Sequence, residues 1–130
     1  MGFRRGRRDY ALLQAQEFPG EVESVTEARN RAVGALGRSS PAVDRIAAIV
    51  TELAANSIRH ADGGFTLRLS SYAAEVIVEV RDKSPSPPKL MTPSPSAPTG
   101  RGLLIVRLMA DRWGCRPEKD GKTVWAELDL

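Results

Sequence analysis

The chain has 130 residues, of which 42% are hydrophobic and 27% charged, values that exclude an intrinsically disordered protein and favour one domain around a single hydrophobic core. The formal net charge is +3, and much of the positive excess lies in Arg4, Arg5, Arg7 and Arg8. Because no aromatic residues are interleaved with these arginines, we interpret residues 1–9 as a basic, flexible N-terminus and disfavour nucleic acid as a partner.

Cysteine content and hydropathy indicate the compartment. The one cysteine, Cys115, cannot form an internal disulfide, which fits a reducing environment. No apolar run is long enough to cross a bilayer, and the basic N-terminus leads into Asp9 and Tyr10 rather than into an apolar signal core. We therefore expect a cytoplasmic protein with no membrane contact.

A strand and a helix are predicted at the start of the domain. Loose alternation of apolar and polar residues over 10–18 predicts a strand that ends before Pro19. From 21 to 36 apolar residues recur in steps of three and four, which predicts a helix, and Gly37 is a suitable C-terminal cap.

A second and longer helix is predicted from Ser40 at the N-cap and Pro41 at the first helical position, and it extends to about Ala61. The glycines that follow end it. Alternating residues over 65–69 and a β-branched run over 76–80 then predict two strands of a hairpin.

The last third of the sequence begins with a loop. Six of the nine prolines fall between 84 and 98, so neither a helix nor a hydrogen-bonded strand can persist there. A third helix is predicted from Leu103 to about Asp111, and two β-rich stretches, 113–116 and 123–128, predict a closing hairpin.

Three polar residues of the second helix, Glu52, Asn56 and His60, are spaced by four and lie on one face, each about 40° round from the last. Their chemistry suits a base, an oxygen ligand for Mg²⁺ and a donor to phosphate, in that order. An exposed helix face with a weak contact between Glu52 and His60 remains the alternative.

Asp82 stands where a hydrophobic strand ends and the loop begins, a common position for ligand-binding groups. Its carboxylate could accept a hydrogen bond from an exocyclic amine. The alternative is a strand-terminating aspartate that bonds to its own turn.

The segment Thr99-Gly100-Arg101-Gly102 precedes a helix, so its backbone N–H groups and the helix dipole would face an anion such as phosphate. A short glycine turn alone is weak evidence for phosphate binding. Neither the P-loop nor the dinucleotide-binding glycine motif occurs in the sequence, so those two nucleotide folds are excluded.

Taken in order, four segments resemble the motifs of the GHKL ATPases, which include gyrase, MutL and the histidine kinases, and most of all those of the anti-sigma factor serine/threonine kinases. The resemblance covers about Phe18 to Leu130. The segments are Glu52-x-x-x-Asn56-x-x-x-His60, Asp82 after a strand, Gly100-Arg101-Gly102-Leu103, and Gly121-Lys122-Thr123.

This resemblance implies the histidine-kinase-like ATPase fold over residues 10–130. That fold is an α/β (α+β) two-layer sandwich, in which helices pack on one face of a mixed, mainly antiparallel sheet. ATP would lie between helix and sheet, and residues 83–99 would form the proline-rich ATP lid.

The resemblance also implies roles for single residues. Glu52 would be the catalytic acid-base group and Asn56 the Mg²⁺ ligand. The remaining residues would bind the nucleotide: His60, Thr99, Gly100, Arg101, Gly102 and Leu103 on the phosphate side, Asp82 at the adenine amine, and Thr123 in support of Asp82. The family has Asp-x-Gly where this chain has Asp82-Lys83-Ser84, and the Cβ of Ser84 is expected to crowd a turn that needs positive φ.

The partners implied by the resemblance are a sigma factor and an anti-sigma factor antagonist protein. The chain would phosphorylate a serine or threonine of the antagonist and sequester the sigma factor. A homodimer stays open, and so does a second hypothesis, a non-catalytic module of the same fold that acts on its partner by contact alone.

Overall fold

The computed structural model describes residues 10–60, 63–84 and 101–130, and within them the chain forms five strands and three helices. The order of elements is β1 (Ala11–Phe18), α1 (Glu23–Leu36), α2 (Val43–His60), β2 (Phe65–Tyr72), β3 (Glu75–Asp82), α3 (Arg101–Met109), β4 (Arg112–Glu118) and β5 (Gly121–Asp129).

The five strands form one sheet in the order β1-β2-β3-β5-β4, and each neighbouring pair is antiparallel. The predicted α+β fold, with helices on one face of the sheet, is confirmed. The pairings among the described residues include no parallel pair, so this part of the sheet is antiparallel rather than mixed. Both predicted hairpins, β2–β3 and β4–β5, are present.

The start of α2 differs from the prediction by two residues, because the helix begins at Val43 and not at Pro41. Ser40 accepts a hydrogen bond from the Ala42 backbone N–H through Oγ, at 3.3 Å, and one from the Val43 N–H through its carbonyl, at 3.2 Å. These bonds close a separate turn first, a common competing use of a serine at this position.

The core lies between the helices and one face of the sheet. Every second residue of the three central strands points into it, and these nine side chains are at most 6% exposed: Phe65, Leu67, Leu69, Val76, Val78, Val80, Val124, Ala126 and Leu128. From α2 the core receives Ile46, Ile49, Val50 and Leu53. Burial of each large aliphatic side chain contributes about 1.5–3 kcal/mol, so this interface is the main source of stability.

Close backbone approach fixes the entry into β2. Gly64 has a φ of +87°, and a Cβ there would overlap the Phe18 carbonyl oxygen and lie 3.0 Å from the Pro19 carbonyl carbon. Only glycine fits this position without displacing the end of β1. Phe65, the next residue, pairs with Asp82, so the constraint extends to the end of β3.

Helix α3 is fastened at its carboxyl end. Arg45, in the first turn of α2, donates to the Met109 carbonyl at 3.3 Å and to the Asp129 carbonyl at 3.0 Å. Along its length α3 also packs against α2. Within the described residues, no helix is long and apolar enough to cross a membrane.

Candidate functional site

Asp82 is the centre of a buried polar cluster at the end of β3. It is 6% exposed and accepts hydrogen bonds from Ser57 Oγ to Oδ2 and from the Ser84 backbone N–H to Oδ1, both at 3.0 Å. The ammonium of Lys122 donates to both carboxylate oxygens, at 3.0 and 3.2 Å. These bonds join α2, β3 and β5 at one point.

Strand register explains why Lys122 reaches Asp82. The two residues are cross-strand partners in the β3–β5 pair, and partners in a ladder project from the same face. Thr123 pairs with Arg81 and projects from the opposite face, where its hydroxyl donates to Glu118 Oε1 at 2.9 Å. The expected support of Asp82 by Thr123 is therefore corrected: Lys122 has that position.

The Thr123 hydroxyl instead lowers the pKa of Glu118, on the face of the sheet opposite to the helices. Its hydrogen bond is the main reason that the pKa of Glu118 lies below the usual range, and Arg116 lowers it further. Glu79 on the same face shows the opposite effect, because burial raises its pKa against the pull of Arg116 and Arg68.

Gly121 allows the end of β3 and the start of β5 to touch. A Cβ at this position would overlap the Asp82 carbonyl oxygen and lie 2.8 Å from Lys83 Cα. Since both are backbone atoms, neither can move without shifting the turn after Asp82. The absence of a side chain at Gly121 thus allows the Asp82 backbone, and with it the carboxylate, to take its observed position.

Ser84 adopts the turn without the strain we expected. Its backbone N–H closes the turn on Asp82, it is 7% exposed, and among the described residues the non-glycine with positive φ is Ala73. The Cβ of Ser84 therefore does not occupy a conformation reserved for glycine.

The polar face of α2 lies beside this cluster. Asn56 precedes Ser57, whose bond to Asp82 ties the helix to the sheet, and Glu52 lies about one turn earlier. Both side chains are half-buried. Asn56 Oδ1 accepts a hydrogen bond from Arg59 at 2.6 Å, whereas Glu52 forms no hydrogen bond or ion pair within the described residues.

The bond from Ser57 thus holds Asp82 against α2, the helix that carries Asn56 and Glu52. Leu103, in α3, is buried at 6% exposure. Thr99, Gly100 and most of the expected lid, 85–99, lie outside the described residues, as does the N-terminal segment 1–9. Of His60, Arg101 and Gly102 only the backbone is described, as part of α2 and α3.

A family model of the histidine kinase-like ATPase domain matches residues 18–128. The chain belongs to this family. Membership implies that the domain binds ATP, usually with Mg²⁺.

Comparison with solved structures agrees on the fold. Histidine kinase AdeS of Acinetobacter baumannii superimposes with a TM-score of 0.52 over 91% of this chain and 68% of that chain, at 15% identity. At such identity the similarity concerns the fold alone. Sequence comparison with curated proteins finds no match.

The donor set fits Mg²⁺–ATP. Mg²⁺ prefers oxygen ligands and commonly takes only one or two from the protein, with the others from phosphate and water. Asn56 Oδ1 and Glu52 can supply such oxygens, and the part of the chain that the structure describes holds no cluster of three His, Cys, Asp or Glu that would form an all-protein site. Asn56 would have to exchange Arg59 for the ion.

Two residues of the cluster, Ser57 and Lys122, were given no role in the sequence prediction. Ser57 could have been found, because it continues the apolar stripe of Ile49, Val50 and Leu53, and a hydroxyl on a core stripe requires a partner. Lys122 could not, since a surface lysine next to a glycine turn is the ordinary case.

Proposed function

We propose that the chain is an anti-sigma factor serine/threonine kinase, which binds Mg²⁺–ATP, phosphorylates an antagonist protein and sequesters a sigma factor. The observation that carries the ATP-binding part is the family match over residues 18–128. Support comes from the residue types and the order of Glu52, Asn56 and the buried Asp82, which resemble the motifs of this kinase group.

Each residue contributes a separate function. Asp82 would accept a hydrogen bond from the adenine amine, and Asn56 would bind Mg²⁺, which neutralises phosphate charge when present. Glu52 would take the proton of the acceptor hydroxyl. The oxygen of that hydroxyl would bond to the γ-phosphorus as the bond from the γ-phosphorus to the β,γ-bridging oxygen breaks, and ADP would be the leaving group. The half-buried position of Glu52, without a partner among the described residues, leaves its carboxylate available for that proton.

A hydroxyl acceptor on another protein is favoured over a histidine of this chain. The 130 residues contain one histidine, His60, and it is the last residue of α2 within the ATPase domain itself. Under the proposed function the acceptor is a hydroxyl of a separate protein rather than His60.

Two variants test these roles. Asn56→Ala should abolish Mg²⁺-dependent ATP binding in calorimetry, and Glu52→Gln should keep binding but lose transfer of radiolabelled phosphate to a protein captured from native cells. Exposed residues of α1 give matched controls, Asn30→Ala and Glu27→Gln, which should change neither. Unchanged Mg²⁺–ATP affinity in Asn56→Ala would remove that ligand assignment.

A non-catalytic binding module is the second candidate, and the Lys122 ammonium on Asp82 favours it. A carboxylate already bound to a cation is a weaker acceptor for a base. Under this hypothesis the captured partner binds equally well with and without ATP and gains no phosphate. Transfer that depends on Glu52 would eliminate it.

A further inference from the structure

The Asp82 carboxylate has no acceptor site left for a base. An ionised carboxylate offers about four lone-pair positions. In this structure Oδ1 accepts from the Ser84 N–H and Lys122, and Oδ2 accepts from Ser57 and Lys122, at 3.0–3.2 Å. An exocyclic amine can bond to Asp82 only if one of these donors leaves.

Lys122 is the donor that can leave. The Ser84 N–H cannot leave without movement of the backbone turn. The Ser57 hydroxyl cannot leave easily either, because it lies on α2, whose neighbouring apolar side chains are packed in the core. The ammonium, in contrast, ends a flexible four-carbon stem and can turn aside without movement of the backbone. Its side chain is 8% exposed and lies on the same face as Asp82.

We infer that Lys122 determines the affinity and base selectivity of the nucleotide site, because its ammonium competes with the adenine amine for Asp82. This inference rests on the proposed function, in which Asp82 receives the base. The two groups are both hydrogen-bond donors, so each excludes the other from the carboxylate. A base with an oxygen in place of the amine has no donor there and can accept from Lys122 instead.

Inosine triphosphate is the probe that separates these effects, since it carries a carbonyl oxygen where ATP carries the amine. Replacement of Lys122 by methionine keeps the stem and removes the ammonium. Lys122→Met should bind Mg²⁺–ATP about tenfold more tightly, which is the effect of one competing hydrogen bond to a charged group. Its affinity for inosine triphosphate should stay equal or fall, so the ratio of the two affinities rises about tenfold.

Calorimetry on the full chain measures both nucleotides. Lys119→Met, an exposed lysine in the β4–β5 turn, is the matched control and should leave both affinities unchanged. Circular dichroism and a thermal melt confirm that each variant is folded. If Lys122→Met does not fold, Lys122→Gln, which keeps one amide donor group, should show a smaller change in the same direction.

The outcomes distinguish this inference from the proposed function. ATP binding by the wild type with no gain in folded Lys122→Met, or with both nucleotides gaining equally, overturns the competition and leaves the function standing. Failure of the wild type and every folded variant to bind ATP overturns both. Binding that becomes measurable only in Lys122→Met supports the inference.

Discussion

Removal of the Ser57 hydroxyl tests whether α2 is tied to the sheet through Asp82. Ser57 is 3% exposed, and its bond to the carboxylate is 3.0 Å long. A hydrogen bond to a charged group contributes about 1.5–3 kcal/mol, and alanine regains about 0.5 kcal/mol of helix propensity. Ser57→Ala should therefore lower the free energy of unfolding by about 1–2.5 kcal/mol. For a domain of this size that corresponds to a Tm about 4–9 °C lower.

Urea denaturation and thermal melts of the isolated chain measure this loss. Ser24→Ala is the matched control, because Ser24 is equally buried on α1 but donates to the uncharged Pro19 carbonyl, at 2.7 Å. It should cost less, about 0.5–1.5 kcal/mol. In an Asp82→Asn background the Ser57→Ala cost should shrink, since the two residues are coupled. Equal costs for Ser57→Ala in both backgrounds would refute the reasoning.

Three further expectations follow from the geometry. Gly121→Ala should weaken ATP binding and lower Tm, because its Cβ would overlap the Asp82 backbone; Gly34→Ala, with open space around it, is the control, and calorimetry showing equal binding in both contradicts the argument. Glu79→Gln tests the raised pKa of Glu79. Because the folded state binds the proton more tightly than the unfolded state, the stability of the wild type relative to the variant should fall as pH rises through that pKa. Urea titrations in which this relative stability rises with pH would show that the pKa is lowered instead. Arg112→Ala removes a 2.6 Å bond to the fully buried Glu127 and should lower the free energy of unfolding by about 1–2 kcal/mol, a value already reduced for the partial solvent exposure of Arg112. The control Arg107→Ala, at an exposed position, should lower it by less than about 0.5 kcal/mol, and thermal melts that do not separate the two variants would contradict this expectation.

Hydrophobic periodicity was enough to predict the order and type of the elements. Helix α2 has a four-residue apolar repeat, and β2 alternates cleanly, so each pattern indicates one structure only. The end of a buried strand likewise predicted Asp82 as a candidate site residue, and the structure places a buried polar cluster around it. The start of α2 was placed two residues early, because local bonding of Ser40 competes with helix formation and is not visible as a pattern.

The contacts of Asp82 within the site could not be predicted, because they depend on the register in which β3 pairs with β5. Thr123 and Lys122 are adjacent in sequence, and one step along a strand moves a side chain to the other face. The pairing of β3 with β5 places Lys122 beside Asp82, yet neither strand alone specifies that pairing. The turn at Ser84 is a similar case, since its φ depends on how the turn closes on Asp82.

Arg45 fixes the carboxyl end of α3, so a rotation of this helix about that end moves mainly its first turn. Its last carbonyl is held at Met109, and its nine residues extend about 13 Å to Arg101 at 1.5 Å per residue. A tilt of about 10° about the fixed end would displace the first turn by about 2 Å while the Met109 end stays in place. The resemblance assigns phosphate contacts to that first turn. Leu103 and Val106 are buried in the same helix, so such a rotation would also shift their packing, and core packing limits how far the phosphate-side turn can move.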